Sequence, residues 1–88
     1  MKIKEGFVLR TVMNNYVVVA VGKASKSFRG MIKLNSTAAD IWQFVENGLS
    51  EAEICDALLE KYEVERERLE SDVKRILCDL EAQGFLER

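Results

Sequence analysis

The spacing of apolar residues follows two regimes along this chain. From Phe7 to Leu34 they come in short runs rich in β-branched and aromatic side chains; from Ser36 onward they recur every three or four residues. The first regime predicts strands. Phe7-Val8-Leu9-Arg10-Thr11-Val12-Met13 reads as a first strand. Asn14-Asn15 follows, and asparagine tolerates positive φ, so a tight hairpin turn is expected there. Tyr16-Val17-Val18-Val19-Ala20-Val21 is a continuous apolar run of the kind a central strand carries. Gly22 to Ser27 reads as a polar, flexible loop, and Gly30-Met31-Ile32-Lys33-Leu34 as a short third strand. Three strands in a meander leave one face to bury.

The second regime predicts three helices. Asn35 is a good N-cap for a helix from Ser36, with Ala38, Ile41, Trp42 and Val45 at helical spacing and a stop at Gly48. Ser50-Glu51-Ala52-Glu53 is a capping box that opens a second helix carrying Ile54, Ala57, Leu58 and Tyr62 inward. Glu63-Val64-Glu65 is the next joint. The third helix spans roughly Arg66 to Gln83 with a stripe of Leu69, Val73, Ile76, Leu77 and Leu80, and Phe85-Leu86 after Gly84 is expected to fold back onto the core. The predicted class is α+β. A three-stranded antiparallel sheet is followed by three helices (β-β-β-α-α-α), winged-helix-like, in a single domain over residues 1–88.

Composition narrows the function. With 88 residues, 48% apolar and 32% charged, the chain can form one globular core. A domain of this size buries roughly 60–65% of its unfolded surface, which leaves no room for an enclosed catalytic cavity beside the core. The six-residue run from Tyr16 to Val21 is too short to span a membrane. Met1-Lys2-Ile3-Lys4-Glu5 lacks the apolar stretch of a secretory signal, so a cytoplasmic location is expected. Cys55 and Cys78 are the only cysteines and histidine is absent. Two thiols so far apart make neither a disulfide framework nor a zinc site, and no histidine stands by to activate Cys78 as a nucleophile. Gly22-Lys23-Ala24-Ser25-Lys26-Ser27 lacks the glycine spacing of a phosphate loop. Arg68/Asp72 and Arg75/Asp79 stand at i, i+4 and are expected to be surface ion pairs. No enzyme activity, metal or cofactor is expected.

Charge divides the chain in two. Residues 1–34 hold seven basic residues (Lys2, Lys4, Arg10, Lys23, Lys26, Arg29, Lys33) and one acid, a net +6. Residues 35–88 hold six basic and fourteen acidic residues, a net −8. The alternative function suggested by a winged helix is a DNA-binding transcription regulator. Its recognition helix should then be basic, yet the third helix sets Arg66, Arg68, Lys74 and Arg75 against Glu67, Glu70, Asp72, Asp79 and Glu81. Phosphates repel such a helix, so nucleic acid is a poor partner.

A meander leaves its first and third strands as edges. The third leads straight into the helices, so its free edge lies beside helical surface, where an extended peptide can add as a further strand. Met31 is adaptable, and Arg29 and Lys33 bracket it with positive charge that steers acidic peptides. Lysine on a short edge strand also guards against aggregation, so the pattern alone supports both roles. The candidate peptide-binding residues are Arg29, Gly30, Met31, Ile32 and Lys33 on the strand, with Arg68, Asp72, Arg75, Ile76 and Asp79 on the third helix. Arg66, Glu70, Lys74 and Leu77 occupy the helix's other flank, and sequence leaves open which flank faces the strand.

Nearly the whole chain, most clearly from Met31 to Leu86, resembles the PqqD-like family, small proteins first defined in pyrroloquinoline quinone biosynthesis. The resemblance rests on Ile32-Lys33-Leu34-Asn35-Ser36-Thr37-Ala38-Ala39-Asp40-Ile41-Trp42, on Gly48 and Ser50-Glu51-Ala52-Glu53-Ile54, and on Tyr62, Val64 and the ending Val73, Leu77, Leu80, Gly84-Phe85-Leu86. It implies the peptide-recognition element of a pathway that modifies ribosomally made peptides. Such an element is a non-catalytic chaperone that holds the leader segment of a precursor as an added strand on the third strand, beside the third helix. It presents the precursor to a modifying enzyme, often a radical S-adenosylmethionine enzyme. An open strand edge on a domain this small also permits a strand-swapped homodimer.

Overall fold

The computed structural model describes residues 1–28 and 30–88. In chain order the elements are β1 (Lys2–Ile3), β2 (Phe7–Val12), β3 (Asn15–Ala20), α1 (Ala24–Ser27), β4 (Met31–Leu34), α2 (Ser36–Glu46), α3 (Glu51–Lys61), α4 (Arg66–Ala82) and β5 (Leu86–Glu87). β2, β3 and β4 form the expected antiparallel meander with β3 in the centre, and three helices follow. The α+β class and the order of its main parts agree with the pattern of the chain.

The register explains which side chains are inside. Leu9 pairs with Val18 and Val18 with Ile32, while Thr11 pairs with Tyr16 and Tyr16 with Leu34. Alternation therefore turns Leu9, Tyr16, Val18, Ile32 and Leu34 toward the helices. Val18 is fully buried, and Leu9, Tyr16 and Ile32 pack on the same cluster. That register also moves the hairpin turn one position from the expected one. Val12 pairs with Asn15, so Met13 (φ 49°) and Asn14 (φ 68°) are the turn residues, and Asn15 begins β3. Two successive positive φ values mark the primed turn that matches strand twist. Shifting the pairing by one residue would have carried the whole apolar set to the solvent face.

The helical part is set by its caps. Asn35 Oδ1 accepts a hydrogen bond from the Ala38 N–H at 2.8 Å, so β4 passes into α2 through a single residue. Ser50 and Glu53 form the reciprocal capping box that starts α3. Ile41, Trp42, Ile54, Leu58, Val73 and Leu77 are completely buried together, beneath β3 and β4. Ile76, grouped by spacing with the core stripe, is only half-buried.

The end of the chain folds back as expected. Gly84, at φ +86°, turns it out of α4 and delivers Phe85 to the centre of the molecule. Phe85 is fully buried, with its ring centroid 4.9 Å from Phe7, 5.5 Å from Phe28 and 5.9 Å from Trp42. Two parts lie outside the sequence pattern. Residues Ala24–Ser27, expected as loop, form a single helical turn. The chain ends meet as a two-residue pair, Lys2 with Glu87 and Ile3 with Leu86. No helix among the described residues is long and apolar enough to cross a membrane.

Candidate functional site

β4 is an edge. Among the described residues it pairs with β3 alone. Which of its main-chain groups are free follows from the hairpin. In a two-residue hairpin the closing pair is hydrogen-bonded, and hydrogen-bonded pairs then alternate. The far end of β2–β3 agrees, since the Val21 N–H donates to the Gly6 C=O at 2.8 Å in the same alternation. This parity directs the main-chain groups of Asn15, Val17 and Val19 toward β2, and those of Tyr16 and Val18 toward β4. The Ile32 and Leu34 main-chain groups are then spent on β3, and the N–H and C=O groups of Met31 and Lys33 point to the open side.

Beside that edge runs α4. Lys33, Leu34, Asn35 and Ala38 form one wall and the floor of a groove, and Arg75, Ile76, Asp79, Leu80 and Gln83 form the other wall, enclosing ≈ 470 Å³. The α4 residues recur at three- to four-residue intervals and so share one face. Leu34, Ala38 and Leu80 are buried and make the base apolar, Ile76 is half-buried above them, and Arg75 and Asp79 stand exposed at the rim. Met31 is 63% exposed, a large apolar side chain left in water next to the open strand edge.

The rim charges differ from the expected pairs. Arg75 reaches back to Asp72 at 3.8 Å, and among the described residues no ion pair joins Arg75 to Asp79 or Arg68 to Asp72. An i, i+3 partner satisfies Arg75 within its own turn, which leaves Asp79 to solvent at the groove. Lys33 and Arg10 join no ion pair among the described residues.

The opposite flank of α4 is used inside the molecule. Arg66 donates to Asp56 Oδ1 at 2.8 Å and lies 3.5 Å from Glu70, which raises its pKa, chiefly through the hydrogen bond to Asp56. Arg66, Glu70 and Lys74 border a hollow of ≈ 190 Å³ shared with Glu51, Ala52 and Cys55 of α3. Burial pushes the Cys55 thiol above its ordinary value, and the carboxylates of Glu70 and Glu51 add to the effect. A thiol held in its neutral form is a poor nucleophile. Among the described residues no group of His, Cys, Asp and Glu is placed to hold a metal ion. A further hollow, ≈ 550 Å³ between Glu5, Gly6, Val21, Gly22, Lys23 and Ala24, gathers one acid and one lysine and neither a thiol nor a hydroxyl.

The candidate residues therefore separate. Met31, Ile32 and Lys33 form the open edge, and Arg75, Ile76 and Asp79 face it across the groove. Gly30 precedes β4 with φ +102° instead of lying within it. Arg29 lies outside the described residues. Arg68 and Asp72 lie further toward the N-terminal end of α4 and do not line the groove. Leu34, Asn35, Ala38, Leu80 and Gln83 do line it and were not among the candidates. Asn35 and Ala38 were visible only as a helix cap and a core position. Their second role depends on the single-residue passage from β4 to α2, which puts the start of the helix under the groove.

Residues 15–86 match the family described as coenzyme PQQ synthesis protein D (PqqD). None of the curated proteins compared matches the chain. Two solved structures share its fold over nearly all their length. The first, TbiB1 in complex with the TbiA(β) leader peptide, is 26% identical, with a TM-score of 0.81 over 99% of this chain and 95% of that one. The second, lasso peptide synthetase B1 complexed with the leader peptide, is 24% identical, with a TM-score of 0.81 over 99% of this chain and 96% of the other. With the family match running from β3 to β5, the chain belongs to the PqqD family.

Proposed function

We propose that this protein is a non-catalytic recognition element that binds the leader segment of a ribosomally made precursor peptide. The leader adds as a fourth strand to β4 and lies in the groove against α4. The observation that carries this reading is the pairing of an open strand edge with an apolar-floored groove on one side of the molecule. The edge supplies main-chain hydrogen bonds at Met31 and Lys33, and the groove supplies side-chain contacts at Leu34, Ile76 and Leu80. Membership of the PqqD family and likeness to a protein solved with a leader peptide support the same reading. The bound precursor is then presented to a modifying enzyme, for which the family resemblance suggests a radical S-adenosylmethionine enzyme.

The test is calorimetric titration, with amide NMR, against the leader segment of a candidate precursor peptide. We expect a dissociation constant in the micromolar range, about −8 kcal/mol, with the largest amide shifts in Met31–Leu34 and Ile76–Gln83. Absence of heat together with unmoved β4 amides would overturn the reading.

A further inference from the structure

We propose that Lys33 selects a carboxylate at one position of the bound peptide, the residue whose main chain pairs with it. This rests on the strand-addition reading and adds a sequence requirement to it.

The outer face of the sheet carries the argument. Register places Val8, Val19 and Met31 in one row across the three strands, and Arg10, Val17 and Lys33 in the next. The first row is wholly apolar. The second is a valine between two cations, and Val17 is only 7% exposed although it lies outside the main core cluster. Cross-strand neighbours lie close enough for the aliphatic stems of Arg10 and Lys33 to cover it. The strands β2, β3 and β4 contain no acidic residue at all.

A strand added to β4 extends both rows by one place. In an antiparallel added strand, the residue opposite Lys33 exchanges main-chain hydrogen bonds with it, so its side chain emerges on the outer face beside the Lys33 ammonium. Its residue opposite Met31 extends the apolar row on that same face. The residue between them turns inward, against Ile32 and Ile76. Lys33 meets no carboxylate within the described residues, so the incoming strand is its first opportunity for one. An acid there is favoured, a second cation beside Lys33 and Arg10 is disfavoured, and the residue two places along is apolar. The peptide class is therefore a strand whose inward residues are apolar and whose outward residues alternate between acid and apolar.

The experiment is selection from a synthetic peptide library with leucine or isoleucine fixed at alternate positions and the intervening positions randomised. The full chain, immobilised, retains the binders. We expect aspartate and glutamate enriched about threefold at one intervening position, the size of an exposed cross-strand ion pair, and less at high salt. Lys33→Gln should flatten the preference, and Lys33→Glu should replace it with lysine and arginine. Retained peptides with no acid preference, or with one that Lys33→Glu leaves unchanged, would overturn the assignment to Lys33 while leaving strand addition intact. If the wild-type chain retains no peptide from the library, both fail.

Discussion

The two flanks of α4 differ in how they are used, although their sequences look alike. Each offers an arginine and acids at helical spacing: Arg66 and Glu70 on one, Arg75 and Asp79 on the other. On the first flank α3 lies alongside, Arg66 bridges to Asp56, and Cys55 is buried at the base of a smaller hollow. On the second the neighbour is a four-residue strand with an open edge, and the space between stays a groove. Composition does not separate a structural flank from a recognition flank. What separates them is whether the facing element already has its main-chain partners.

The sharpest test of that contrast uses two adjacent residues. Leu77 is fully buried in the core and Ile76 is half-buried in the groove. Leu77→Ala should cost about 2–5 kcal/mol of folding stability, read by urea denaturation. Ile76→Asp should lower the denaturation midpoint less than Leu77→Ala does, and weaken leader binding about fiftyfold or more, because the bound peptide would bury an unpaired carboxylate. If Ile76→Asp unfolds the protein, the groove flank is part of the core and the contrast is lost.

The next test acts on the strand. Lys33 directs its N–H to the open side, so proline there removes no hydrogen bond to β3, and proline is tolerated on strand edges. Lys33→Pro should keep the fold and weaken leader binding about tenfold, while Lys33→Ala, which loses only the side chain, should weaken it about threefold. Ile32→Pro, which breaks the β3–β4 ladder, should lower the melting temperature markedly. Equal binding losses for Lys33→Pro and Lys33→Ala would show that the Lys33 main chain is not a partner of the peptide.

These contrasts also mark how far sequence could reach. The caps at Asn35 and Ser50 are local chemistry, and both stand where their side chains predict. The three strands were legible from β-branched runs, and the open third strand from its position before the helices. The pairing of β1 with β5 was not, because two-residue strands have no period to detect. The single turn of α1 was hidden for the same reason. Ile76 falls on the same helical stripe as Leu77 and Leu80, and only the absence of a covering element on its side makes it half-buried. Asp40 shows the same limit. It accepts from Lys61 Nζ at 2.8 Å and from the Tyr62 hydroxyl at 2.9 Å, tying the end of α3 to α2, a pairing across more than twenty residues that no local pattern announces.

The smallest effect concerns the α3 flank and is read through pH. The Cys55 thiol is held above its ordinary value of 9.0, first by burial and then by Glu70 and Glu51. The folded protein therefore keeps this proton at pH values where the unfolded chain has released it. With fewer protons bound in the unfolded state, stability must fall as pH rises, beginning near 9 and continuing until the folded thiol itself ionises. Below that window both states hold the proton and the thiol contributes no slope. Cys55→Ala removes this contribution, so its stability should decline less steeply than the wild type above about pH 9, and in parallel with it between about pH 6 and 8. Other alkaline titrations, those of lysines and tyrosines, are common to both proteins and cancel in the difference. Parallel wild-type and Cys55→Ala curves above about pH 9 would mean that water reaches Cys55 and that the α3 flank is as open as the groove.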